Sequence, residues 1–436
     1  MPIRDIIVLA AVFGLAVAGF FRPWWGICGF AWVSYMNPHR FAWQFAFAYP
    51  VAEVIAIPTL LGMVLGRDRI RLPGGREAWL LTGLWCMFTL TTFFAINQSA
   101  ALEELIRVSK ILLMTYATIF LINDRQKLNV FLLIIVWSIG LLGFKGALFA
   151  LKTGGAYMVF GPPDSFLSDN NDFAHAVCMI IPLVMWLKNQ QTKTSLKNLY
   201  RMLIVSSIAS VLITYSRGGF LTLGAVLGVY WLRSRRKLLT GFLIVIAIAI
   251  AVPLLPQEWY ERIESIQTYK QDGSVLGRFN AWHTAWNVAK ERPFTGGGFQ
   301  MFTWQTFQKY APQPDNVHDV HSIYFEIVGE HGFLAFLLFI GLIASCLLSL
   351  QRMKKYWQTK SDQWGSGLCN ALFVSFVAYT VGGVFLGRVS FDLFYHLVAA
   401  VIILKGIKQD EAGVEEEKIF SHRPTQTDTD KQLAAG

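Results

Sequence analysis

Long apolar runs alternate with short polar links along nearly the whole chain. Apolar segments fall near 5–21, 24–36, 44–65, 78–96, 105–123, 128–151, 172–187, 202–214, 218–232, 238–255, 321–350, 367–386 and 391–406. Most approach the length that crosses a hydrocarbon core about 30 Å thick. In lipid a single segment satisfies all its backbone hydrogen bonds only as a helix. The pattern therefore predicts an all-α, polytopic integral membrane protein with about twelve or thirteen transmembrane helices. The first run, Ile6 to Phe20, lacks a convincing small-residue cleavage site and many further spans follow it. It reads as a retained segment rather than a secretory signal. Segments 5–21 and 24–36 form either two spans or one span with a re-entrant piece, which leaves the side of the N-terminus open.

One link is far longer than the rest, 256–320, and its aromatic and polar content predicts a small folded, helical cap outside the membrane. Within it, Phe279, Trp282 and Trp286 recur at offsets of three and four over 277–291, the spacing of one helical face. The plain reading of that face is packing against the membrane domain. Four parts result: N-terminal transmembrane helices over 1–255, the large loop over 256–320, C-terminal transmembrane helices over 321–406 and a tail over 407–436. From Gln409 the tail is acidic and then rich in Thr, Gln and Asp, which predicts a disordered cytoplasmic segment.

Composition supports this picture and charge gives it a direction. Of 436 residues, 54% are hydrophobic and 15% charged, well below the quarter charged that is usual for soluble domains. The net charge of +10 suggests nucleic acid only until its positions are read. Arg67, Arg69, Arg71 and Arg76 fall in one link, Lys188, Lys193, Lys197 and Arg201 in another, and Arg233, Arg235, Arg236 and Lys237 in a third. Arg125 with Lys127, and Arg352, Lys354, Lys355 and Lys360, fall on the same side by counting spans. These links belong in the cytoplasm by the positive-inside rule. The intervening links belong outside: 97–104 has no Lys or Arg, and 152–171, 215–217 and 387–390 hold only Lys152, Arg217 and Arg388. The five cysteines, Cys28, Cys86, Cys178, Cys346 and Cys369, lie in or beside apolar runs without paired spacing and read as buried inert thiols.

An ionisable group at membrane depth costs at least a few kcal/mol unless paired or hydrated, so those near outer span ends are candidates for function. Lys145, near the outer end of segment 128–151, Arg217, in Tyr215-Ser216-Arg217-Gly218-Gly219, and Arg278, opening the cap helix, are expected to converge outside. Three cations without acidic neighbours in sequence suit a polyanion such as a diphosphate, which the planar arginine fork binds through two oxygens; interfacial snorkelling is the bland alternative. The glycine pair after Arg217 gives backbone room near a ligand. Where the large loop re-enters the membrane stands Asn316-Val317-His318-Asp319-Val320-His321-Ser322. The neutral imidazole of His321 can take a proton from a hydroxyl, as a general base must, and Glu326 and Glu330 follow on one side of the next helix. His318 is the weaker candidate. The three-residue spacing of the two histidines, with no HExxH, is weak ground for a metal site, and none is expected. Asp169 and Asn170 open a span after Phe160-Gly161-Pro162-Pro163; a helix cap is their usual role, and contact with sugar hydroxyls the functional one. Gly296-Gly297-Gly298 lacks the strand and helix of a nucleotide site and reads as a turn.

Taken together these residues resemble the bacterial O-antigen ligases and polymerases, membrane enzymes that move glycans from a polyprenyl diphosphate carrier. The resemblance spans most of the chain: Asn170-Asn171 with Ile181-Pro182-Leu183, Ser216-Arg217-Gly218-Gly219, Arg278 with Trp282 and Trp286, Pro293 through Gly298, and His321-Ser322 to Gly332-Phe333. The opening Ser34-Tyr35-Met36-Asn37-Pro38-His39-Arg40 is similar to the branch of O-glycosylation ligases associated with exosortase-type exopolysaccharide systems. The resemblance implies an inverting, metal-independent transfer that needs no cofactor. Arg217 and Arg278 would hold the diphosphate, with Lys145 carried over less firmly, and His321 would be the essential histidine. Asn170, Asn171, His318 and Glu326 complete the expected substrate-binding set.

The expected activity is therefore glycosyl transfer from an undecaprenyl diphosphate-linked glycan to an acceptor hydroxyl of lipid A core, protein or glycan. It would take place at the periplasmic face of the bacterial inner membrane, with the lipid bilayer as partner and no nucleic acid. An O-antigen or exopolysaccharide polymerase is the near alternative. A transporter of lipid-linked sugars is the alternative of another class, but no inverted repeat is evident and the candidates crowd one face rather than the midplane.

Overall fold

A computed structural model describes residues 3–42, 44–66, 70, 74–234, 236–251 and 273–421. The expectations for Arg67, Arg69, Arg71, Arg235, residues 256–272 and residues 422–436 lie outside them. No strand occurs among the described residues. Their helices are α1 (Ile3–Phe21), α2 (Pro23–Met36), α3 (Val51–Leu65), α4 (Arg76–Phe93), α5 (Gln98–Leu121), α6 (Arg125–Lys152), α7 (Asn170–Gln190), α8 (Thr194–Ile213), α9 (Arg217–Arg233) and α10 (Lys237–Ala251). There follow α11 (Gly273–Glu291), α12 (Trp304–Tyr310), α13 (Ile323–Thr359), α14 (Gln363–Gly382) and α15 (Asp392–Ser421). This is an all-α polytopic membrane protein.

Among the described residues, five helices qualify as spans by length and apolar content, namely α1, α6, α8, α13 and α14. The larger expected number is not reached by that measure. Helices α2, α3 and α9 have only 14, 15 and 17 residues, while α5 carries Glu103, Glu104, Arg107 and Lys110. The link expected at 97–104 is largely the first turns of α5, which Asn97 caps and the Glu104–Arg107 ion pair reinforces. Segments 5–21 and 24–36 are two antiparallel helices, Gly19 lying against Gly26 and Leu15 against Gly29. The start of α1 meets the 37–50 link, since Asp5 accepts a hydrogen bond from the Ala46 amide at 3.3 Å. Arg40 of that link pairs with Asp164, which places the start of α1 at the end of the bundle carrying the 152–169 link.

Two helices form the centre. α7 is buried from Asn170 to Val184 except at Asn171, and α15 from Asp392 to Leu404. α7 packs against α6, α8, α9 and α14, and α15 against α4, α5, α6, α13 and α14. The helix α15 continues to Ser421 rather than ending where the acidic tail was expected to become disordered. Arg125 binds Glu411 through Nε at 2.6 Å and Nη2 at 2.7 Å, tying this extension to the start of α6. Four cysteines are buried thiols; Cys86, expected to be buried, is exposed on α4.

The cap stands on α13. Trp282 of α11 stacks on Phe325 with centroids 4.9 Å apart, and Trp286 meets Phe333 edge-on at 5.5 Å. α13 is broken at Gly332, whose φ of 76° and ψ of −176° leave the helical region, a conformation open to glycine alone. The break frees carbonyls that the triple-glycine turn then takes up: Gly297 N donates to Gly329 O at 2.8 Å and Gly298 N to Glu330 O at 2.7 Å.

Candidate functional site

Two helix starts meet at one end of the bundle. Asp169 caps α7 by accepting from the amides of Asn171 and Asp172. Ser216 caps α9, its Oγ accepting from Gly219 N at 2.9 Å while donating to Asn171 Oδ1 at 2.7 Å. Asn170 Nδ2 donates to Thr214 O at 2.8 Å, and the Tyr215 hydroxyl donates to Gly155 O. These bonds hold Tyr215 at a φ of 54°, a left-handed conformation that a bulky residue keeps only when its surroundings over-determine it. Arg217 is thereby presented at the first turn of α9. The glycines after it serve close packing more than open space: a Cβ at Gly219 would stand 2.6 Å from that of Ala174, and one at Gly218 would stand 3.0 Å from that of Phe385.

Arg217 and Arg278 line one cavity of about 260 Å³ together with Asn170, Asn171 and Tyr215. The N-terminus of α9 presents a positive dipole end, which together with both guanidiniums favours an anion there. A further wall, Phe385 and Leu386, comes from the link between α14 and α15. That link is clamped at three points. Arg388 pairs with Asp172 at 2.7 Å, Val389 N donates to Glu326 Oε2 at 3.0 Å, and Ser390 accepts from Arg107 Nη2 at 2.8 Å.

His321 adjoins this wall, its backbone lying against Gly387, the neighbour of Leu386. Its φ is 42°, and the chain is pinned on both sides, Trp282 Nε1 donating to Val320 O at 2.8 Å and Ile323 N to Gly383 O at 2.8 Å. Burial holds the imidazole below its ordinary pKa, and the positive charge of Arg278 acts in the same direction against the opposing Asp319 and Asp169. Burial thereby favours the neutral, base form of the ring, and Asp319 Oδ2 lies 4.0 Å from Nδ1.

The other expected residues are placed differently. Lys145 borders a separate cavity of about 280 Å³, divided from the first by Met158 and Phe160, and its ammonium lies 4.1 Å from the Phe41 ring centroid. His318 is half-buried with its ring against Gly277 and does not line the arginine cavity. Glu326 does not line it either; its carboxylate acts on the link. Among the described residues, no group of three His, Cys, Asp or Glu side chains is placed to hold a metal ion. Tyr215, Asp172, Arg388 and the 383–391 wall were not singled out by sequence reasoning; the lone arginine of an outer link was the one available signal.

An apolar groove of about 290 Å³, formed by Leu221, Val275, Phe279, Trp282 and Phe385, also reaches Arg217 and Arg278. Residues 202–340 match the O-antigen ligase family, and residues 3–192 match a family of unknown function. Over residues 202–340 the chain is similar to the O-antigen ligases. No curated protein matches the chain. The stretch similar to O-antigen ligases contains Arg217, Arg278, His318, His321 and Glu326, whereas Lys145, Asn170 and Asn171 belong to the other match. The arginine cavity is lined from both matched stretches.

Proposed function

We infer that the protein is a glycosyltransferase of the bacterial inner membrane that moves a glycan from a polyprenyl diphosphate carrier to an acceptor hydroxyl on the periplasmic face. The observation that carries this reading is Arg217 and Arg278 on one cavity with a neutral His321 at its wall. The diphosphate binds both guanidiniums, and the carrier hydrocarbon follows the groove of Leu221, Phe279 and Trp282. Asn170 and Asn171 bind donor oxygens or hold the Arg217 turn, and the bonds of both to that turn favour the second role.

In the transfer, the acceptor hydroxyl passes its proton to His321. Its oxygen bonds to the anomeric carbon on the face opposite the carrier, and the bond from that carbon to the phosphate oxygen breaks. Polyprenyl diphosphate leaves with its electron pair, the developing charge held by the arginines, so one displacement inverts the anomeric centre. Asp319 steadies the imidazolium through charge at 4.0 Å. Positioned guanidiniums supply the electrostatic stabilisation, which is worth most in a water-poor site, and no metal step is invoked.

His321→Ala is expected to lower glycan transfer from a polyprenyl diphosphate donor by about 10²–10⁴-fold, measured with purified protein in proteoliposomes. Transfer at the unmutated rate would remove His321 as the base. Product size separates the two uses of this chemistry: a single intact glycan joined to a new acceptor marks a ligase, and a ladder of growing repeats marks a polymerase.

A further inference from the structure

Three cavities lie in a row. The apolar groove and the arginine cavity share Arg217, Gly218, Arg278 and Phe385, and the arginine cavity shares Met158 and Phe160 with the cavity beside Lys145. In the transferase reading the groove takes the donor hydrocarbon and the arginines its diphosphate. The third cavity has no part in that account. It is amphipathic: Lys145 is its one charged residue, and Phe41, Phe149, Phe160, Pro162 and Pro163 supply apolar and rigid walls.

The electrostatics point to an anion. The ammonium of Lys145 lies over Phe41, and among the described residues no carboxylate is within ion-pair distance of it. As the one charge on an apolar rim, the ammonium attracts an anion more strongly than it would in water. The shape points to an amphiphile. Phe149 and Phe160 on the rim are 44% and 55% exposed, and Leu141 and Leu148 of the same helix are 41% exposed, so the cavity opens sideways onto a surface suited to hydrocarbon.

We propose that the Lys145 cavity is a second lipid subsite, which binds the anionic headgroup of a membrane amphiphile whose chain runs along Phe149 and Phe160. Its place as the acceptor side of the reaction rests on the transferase reading, because only a thin strip, Met158 and Phe160, separates it from the donor diphosphate. The binding itself does not rest on that reading.

The test uses the full chain in phosphatidylcholine nanodiscs carrying a trace of photoactivatable phosphatidic acid, with photoactivatable phosphatidylcholine as the neutral control. Adducts of the acidic lipid are expected on peptides holding Phe149 and Phe160. Lys145→Gln should lower that labelling about tenfold, as loss of one charge-assisted contact does, while Lys145→Arg keeps it and Arg217→Gln leaves it unchanged. Equal labelling by the neutral lipid, or adducts mapping elsewhere in the unmutated protein, overturns the proposal even if Lys145→Gln fails to fold. Loss of labelling in Arg217→Gln assigns the signal to the donor cavity and also overturns it. Competition by inorganic phosphate at a concentration equal to that of the lipid would make the ligand a soluble phosphate and remove the lipid subsite. No arm requires glycan transfer, so a failure of the enzymatic reading and a failure of this site give different results.

Discussion

The two ends of the bundle use basic residues in opposite ways. At the end expected to face the cytoplasm, the protein supplies the anions itself. Glu77, fully buried, accepts from Ser345 and Ser349 at 2.6 Å each and from Lys405 at 2.9 Å. Arg125 reaches Asp362 and Glu411, both at 2.6 Å. At the other end Arg388 is likewise tied to Asp172, but Arg217 and Arg278 border an open volume of about 260 Å³. A cation matched by a folded carboxylate holds helices together, whereas one that lines a cavity at a helix start can also meet an anion from outside. The sign of the charge does not separate these roles, whereas the geometry around it does.

The contrast breaks if substitutions at the two ends have the same signature. The largest effect is expected from Arg217→Gln combined with Arg278→Gln, which should lower transfer about 10³-fold while the melting temperature in detergent stays near that of the unmutated protein. Glu77→Ala should do the reverse. It strands the half-buried Lys405 ammonium and two buried hydroxyls, costing about 1–3 kcal/mol, so the melting temperature falls while transfer per folded molecule holds. A sharper view comes from pH. Because burial and Arg278 depress the pKa of His321, its base form persists below the ordinary imidazole value of about 6.5. The acid limb of the transfer rate should therefore lie below that value, and Arg278→Gln should move it upward. The smallest effect is expected from Arg125→Ala, a loss of about 0.5–1 kcal/mol for a side chain that is one-third exposed, read as a small drop in melting temperature with unchanged transfer.

Much of this architecture is legible in the residue pattern, because lipid leaves a segment few choices. The run at 128–151 became α6 at 125–152, and 218–232 became α9 at 217–233, each within a few residues. Arg217 and Arg278 were recognisable as costly ions near span ends, and they share a cavity. What escaped depends on contacts far apart in the chain. Lys145 has the same charge and the same outer position, yet the Met158 and Phe160 side chains wall it off, and sequence spacing carries no sign of that wall. The helix beyond Gln409 is held by Arg125, 286 positions before Glu411. Gly332 hid for a different reason: inside a long apolar run it reads as one more small residue, and its left-handed φ goes with the close approach of Pro293 and Phe294, far from it in sequence.

That break sorts the working parts into two mechanical pieces. The short stretch of α13 above Gly332 is bonded to the triple-glycine turn and stacked on α11, so the histidine at its head and the arginine of α11 form one jaw. The other arginine belongs to α9, rooted beside α7 in the bundle. The same stretch is also bonded to the link between α14 and α15, through Ile323 N to Gly383 O and through Glu326 to Val389 N, so His321 is fixed to the bundle as well as to the cap. The two guanidiniums therefore reach one cavity from separately held pieces, with the histidine fastened to both.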